Sequence, residues 1–121
     1  MSRTLPHEHS SMSHHILEHL PEQSAFSKAA ELLRLLGDDN RIRLFWILCH
    51  CEECVINLSA MMHMSSPALS HHLKLLKASG LILSRREGKE VYYRAADTEA
   101  VRLLHSAAEA LLAVSCPKED K

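Results

Sequence analysis

Three cysteines fall within six residues, Cys49-His50-Cys51-Glu52-Glu53-Cys54, a C-x-C-x2-C run. Thiolates are preferred ligands for soft ions. Three of them can hold trivalent arsenic, or most of a tetrahedral zinc, cadmium or lead site. The spacing also sets a geometric condition. On an unbroken helix Cys49 and Cys51 lie about 200° apart and cannot converge, so the helix carrying Cys49 must break near Cys51. Cys49 also falls in the apolar stripe of that helix, the ordinary place for a small core residue. The chain is also rich in histidine, with ten in all. Five of them, His7, His9, His14, His15 and His19, stand among Ser, Glu and Pro near the N-terminus. His105 lies beside an apolar stripe and reads as a packed histidine rather than a ligand. No paired carboxylates, Gly-rich phosphate loop or nucleophile with a convincing base points to an enzyme.

The elements that must position these groups are those of a small domain. The chain has 121 residues, of which 46% are hydrophobic and 24% charged. A chain of that length forms one modest core, to which a subunit interface would add. No apolar run approaches the roughly 18 residues of a membrane helix, and the N-terminus lacks the apolar core of a signal peptide. A cytoplasmic protein is expected. Residues 1–22 read as a flexible, His-rich tail with little to bury. Residues 23–116 read as the folded domain, and residues 117–121 as a charged end.

Within the domain, Ser24 can cap a helix with Phe26, Ala29, Ala30, Leu33 and Leu36 as its apolar positions, ended by Gly37. Asp38-Asp39-Asn40 can cap a second helix, with Ile42, Phe45, Leu48 and Cys49 on one face. A third, at about Val55–His63, carries Leu58, Met61 and Met62. Ser66 and Pro67 open a fourth, which Gly80 stops. Leu81–Arg86 and Glu90–Ala95 read as two strands around Glu87-Gly88-Lys89. Asp97 reads as the cap of a last helix striped by Val101, Leu104, Ala108 and Leu111.

The net charge of −1 conceals a division. Residues 65–94 carry Lys74, Lys77, Arg85, Arg86, Lys89 and Arg94 against only Glu87 and Glu90, a balance of +4 that leaves −5 elsewhere. The basic segment is a short helix, a tight turn, a second helix and a hairpin. A helix–turn–helix lays its second helix in the major groove while basic neighbours neutralise phosphates. Ser66, Ser70, Lys74 and Lys77 share one face of the fourth helix, and Leu69, Leu73 and Leu76 share another. The pattern therefore points to double-stranded DNA.

The stretches LGDDNRIRLFWIL, ECVINLSAMMHMSSPALSHHLKLLKASGLI and SRREGKEVYYRAAD resemble the ArsR/SmtB family of bacterial metal-sensing repressors. The likeness covers about residues 29–114. It implies a mainly α winged helix–turn–helix with a small β-hairpin, assembled as a homodimer through its first and last helices. It also implies repression at a palindromic operator, relieved by an inducer. Ser65, Ser66, Ser70, His71 and His72 match the base-facing part of the recognition helix, Lys74 a phosphate-contacting position and Lys89 the wing tip. Adjacent helical residues point about 100° apart, so at most one of His71 and His72 faces the bases.

The resemblance is less direct at the thiols. Cys54 matches the first cysteine of the family's C-x-C at the third helix, but Ile56 stands where the second belongs. The zinc site across the last helices of the family dimer matches Asp97, Glu99, Ala110 and Ala113, and two alanines cannot ligate. The ligand set expected for the inducer, zinc, cadmium, lead or As(III), is Cys49, Cys51 and Cys54, completed by Cys116 or by His7 and His9 from the tail. The alternative is a thiol-based sensor of oxidants or sulfide that pairs Cys49 or Cys51 with Cys116. The usual helix-two cysteine of such sensors matches Trp46.

Overall fold

A computed structural model describes residues 4–113. The chain divides into two units, Met1–Glu31 and Leu32–Lys121. The first contains a helix that the sequence reading gave to a flexible tail, α1 (Ser11–Glu18). It buries no residue. Its C-terminal end is closed locally, by the His19 backbone N–H on the carbonyls of His15 and Ile16. The helix α2 spans Gln23–Leu35, within two residues of expectation.

The second unit contains α3 (Asp39–His50), β1 (Glu53–Cys54), α4 (Val55–Met62), α5 (Ser66–Ala78), β2 (Ile82–Glu87), β3 (Glu90–Ala95) and α6 (Glu99–Leu112). The Asp38 carboxylate caps α3 by accepting from the N–H groups of Asn40 and Arg41 at 3.0 and 3.1 Å. The helix stops at His50, and Cys51 is fully extended, with φ −154° and ψ 158°. The helix thus ends where a shared site for Cys49 and Cys51 would need it to.

Two helix caps differ from the sequence reading. Ser65, not Ser66, caps α5, with its hydroxyl accepting from Ala68 N–H at 3.3 Å; Pro67 keeps its place in the first turn. Thr98, not Asp97, caps α6, accepting from Val101 N–H at 3.2 Å. Asp97 instead pairs with Arg102 at 2.8 Å. Both Asp and Thr are good caps, and the register of the last strand decides which one reaches the first turn.

The sheet order is β1-β3-β2, all antiparallel. The pairing of β1 with β3, Glu53 opposite Tyr93 and Cys54 opposite Tyr92, was not foreseen, because two residues carry no periodicity. The core is built from Leu44, Phe45, Leu48, Leu58, Leu69, Leu73, Leu76, Leu81 and Ile82, all nearly inaccessible. It lies where the helices pack on the sheet and on each other. Ile42 and Met61, expected inside, are half-buried and exposed, and Leu44 takes the core position. On α6, Val101 and Ala108 are buried, whereas Leu103 and Leu111 are 63% and 82% exposed. No helix among the described residues is long and apolar enough to cross a membrane.

Candidate nucleic-acid interface and thiol segment

The helix α4 ends at His63, whose left-handed φ of 52° reverses the chain into the cap of α5. Histidine is among the few side chains enriched in that conformation. The helix α5 then seats Leu69, Leu73 and Leu76 in the core. The opposite face presents Ser66, Ser70, His71, Lys74 and Lys77 to solvent. His72 is half-buried, with its Nδ1 enclosed and lacking a hydrogen-bond partner. Of the adjacent pair, His71 is thus the outward one.

The hairpin that follows closes in two residues, with Glu87 opposite Glu90. Gly88 has φ +62° and Lys89 does not, the arrangement of a turn that follows the twist of the strands. Arg86 and Lys89 are exposed on this wing. Arg85 is placed differently. Its guanidinium meets the Glu52 carboxylate at 2.7 Å and Glu87 at 2.6 Å, and it stands over the Tyr92 ring at 4.8 Å. Those carboxylates raise the Arg85 pKa further, and Arg85 in turn holds the Glu52 carboxyl below its ordinary range. Arg94 adds a weaker contact to Glu52 at 3.8 Å.

The three thiols of the C-x-C-x2-C run are divided. Cys49 and Cys51 line one cavity of about 340 Å³ with Arg94, Asp97, Arg102 and His105. Cys51 is exposed, with its thiol donating to the Ile47 carbonyl at 3.5 Å. Although the residue as a whole is exposed, partial desolvation of its thiol and, secondarily, the Glu53 carboxylate push the Cys51 pKa up. Cys54 is buried, does not line that cavity, and holds the N-cap position of α4. Cys116 lies outside the described residues. His7 and His9 belong to the other unit, with their rings stacked at 5.6 Å.

Among the described residues, the three-ligand cluster contains no cysteine. It is His50, His105 and Glu109, with ligand atoms within 4.8 Å of one another. The sequence alone points to His105 as a packed histidine and gives neither His50 nor Glu109 a role. The one available signal was the i, i+4 spacing of His105 and Glu109, which places both on one helix face.

A helix–turn–helix with a basic outer face, followed by a twisted basic hairpin, defines a winged helix–turn–helix DNA-binding protein. Residues 38–84 match the family model of the bacterial regulatory proteins of the arsR family. The chain is 37% identical over 94 residues to the "Transcriptional repressor SmtB homolog" of Synechocystis, covering 75% of this chain and 71% of that one. It is 35% identical over 79 residues to the "Cadmium resistance transcriptional regulatory protein CadC homolog" of Staphylococcus aureus, covering 64% of this chain and 65% of that protein. Its fold is similar to that of reduced HlyU from Vibrio cholerae, with TM-score 0.67, 29% identity and coverage of 74% and 93% of the two chains. The chain belongs to the ArsR family of bacterial regulatory proteins. It is a transcriptional regulator, not an enzyme, and the winged helix and family resemblance expected from its sequence are both borne out.

Proposed function

We propose that this protein is a dimeric operator-binding repressor, working in the cytoplasm, that leaves its DNA when a soft metal or metalloid ion binds the thiols of residues 49–54. The observation that carries this reading is how that segment is attached. Cys51 ends α3, Cys54 starts α4 of the DNA-binding helix pair, and between them Glu52 grips Arg85 at the base of the wing. Cys54 also pairs with Tyr92 on β3. An ion that draws Cys51 toward Cys54 must therefore strain both the helix pair and the wing. A change of 1–3 kcal/mol between the free and DNA-bound states, a 5–150-fold change in affinity, is the usual scale of such coupling.

The DNA face consists of Ser65, Ser66, Ser70, His71 and Lys74 with Lys77, and of Arg86 and Lys89 on the wing. His72 and Arg85 support it from behind. The exposed leucines of α6 form the apolar surface for a second copy, as the family resemblance implies. Three soft donors within six residues favour a metal over an oxidant. Zinc, cadmium, lead and arsenite are the candidate inducers, with Cys49, Cys116 or His7 and His9 completing the coordination.

The test is binding of a fluorescent fragment of the protein's own promoter, titrated in parallel with each of these ions and with polysulfide. Cadmium is expected to release the DNA and to produce thiolate charge-transfer absorption, both lost in Cys51→Ser/Cys54→Ser. Release by polysulfide in metal-free buffer, with no response to any of the ions, would establish the redox alternative instead.

A further inference from the structure

His50, the last residue of α3, faces the middle of α6. Its Nε2 lies 3.1 Å from His105 Nε2 and 3.6 Å from Glu109 Oε1, and His105 Nε2 lies 2.9 Å from the same oxygen. An ion with tetrahedral bonds of 2.0–2.1 Å spaces its ligand atoms about 3.3 Å apart. The three measured separations bracket that figure.

The arrangement is awkward for the side chains alone. Two imidazole Nε2 atoms point at each other and at one carboxylate oxygen. A hydrogen-bonded pair of rings needs one protonated and one bare nitrogen, and only one of them can then donate to Glu109. A cation placed among them accepts all three lone pairs at once.

The surroundings suit such an ion. The side chains are 19%, 23% and 14% exposed for His50, His105 and Glu109, so the site is sheltered yet open to exchange. The Trp46 ring packs against His50 at 4.3 Å between centroids, and the His50 and His105 rings meet edge to face at 75°. The rings are thereby steered onto a common point.

We propose that His50, His105 and Glu109 form a site for a zinc-class divalent cation, distinct from the cysteines, that pins the end of α3 to α6. Two imidazoles and one carboxylate suit zinc, cobalt or nickel. They do not suit As(III) or lead, which prefer thiolates, or calcium and magnesium, which prefer all-oxygen shells. Three protein ligands leave a fourth position for water. The site stands whether or not the thiols sense a metal.

The test uses the full-length protein, ¹⁵N-labelled, titrated with zinc alone. Zinc is expected to shift the imidazole nitrogen resonances of His50 and His105 together. In a Cys49→Ser/Cys51→Ser/Cys54→Ser/Cys116→Ser variant, cobalt is expected to give ligand-field bands with no sulfur charge transfer. Glu109→Gln and His105→Asn are expected to weaken zinc binding to this site at least roughly 100-fold, since even outer-shell changes cost 10–100-fold. Circular dichroism of both variants checks that they fold. Zinc that leaves the His50 and His105 resonances unmoved in the wild-type protein, or binds the folded Glu109→Gln and His105→Asn variants as tightly as the wild type, would overturn the site. The NMR measurement on the wild-type chain decides the matter even if the cysteine-free variant fails to fold.

Discussion

The carboxylate of Glu52 closes on the guanidinium of Arg85 at 2.7 Å and so fastens the segment between Cys51 and Cys54 to the first strand of the wing. Both Glu52 oxygens take part, since Arg85 Nε donates to each at 3.0 Å. A fork of this kind fixes direction as well as distance. It makes the thiol segment and the basic hairpin mechanically continuous, although the two partners lie 33 positions apart along the chain.

Glu52→Gln is therefore expected to loosen the wing and to reduce the effect of cadmium on DNA affinity while leaving the thiols intact. A variant whose cadmium response equals that of the wild type would show that the signal bypasses Arg85.

The same pair predicts a pH dependence. Arg85 lowers the folded-state pKa of Glu52 below the ordinary value of an unpaired glutamate. The stabilisation is then fully present above that value and is lost as the pH falls below it, through the lowered folded-state pKa. Urea melts in that acid range are expected to show a shallower loss of stability for Glu52→Gln than for the wild type. Parallel curves would mean that the pair contributes nothing to stability.

Lys74 and Lys77 project from α5 on the face opposite its buried leucines. Replacing either with Ala is expected to weaken promoter binding about equally for all sequences and to reduce the salt slope by about 1. Arg85→Ala, which removes a cation already matched by carboxylates, is expected to change that slope less. Affinity measured across a salt series separates the two cases.

The cap of the last helix offers a stability test. Thr98→Ala is expected to cost about 1 kcal/mol, because an N–H of the first turn loses its acceptor. Asp97→Ala, which removes only an exposed ion pair, is expected to stay within about 0.5 kcal/mol. Chemical denaturation of both variants would expose an error if their order were reversed.

Leu103 and Leu111 are the most exposed leucines of α6. Leu111→Glu is expected to convert a dimer into a monomer in sedimentation experiments, with the far-ultraviolet spectrum preserved. A dimer that survives this change would place the interface elsewhere.

Much of this architecture was legible in the residues themselves. Helix α3 is marked by its Asp38 cap, α5 by Pro67 and its leucine spacing, and the hairpin by Gly88, because each of these signals is local. The end of α3 at His50 agrees with the condition that the C-x-C spacing sets if both thiols are to share an ion. The polar, basic outer face of α5 followed from charge and periodicity together, and the structure leaves Ser70, His71, Lys74 and Lys77 exposed on it.

Contacts between residues distant in sequence were not legible. The two-residue strand β1 exists only because β3 offers it a partner, and the choice of Thr98 over Asp97 as a cap depends on where that strand ends. Glu52 reads as an ordinary surface acid until Arg85 is folded against it. His50 and His105, 55 positions apart, become neighbours only when α6 packs on α3. Local patterns specify elements and their faces. Which chemical groups meet across those faces is decided by packing, and packing is set by the core as a whole.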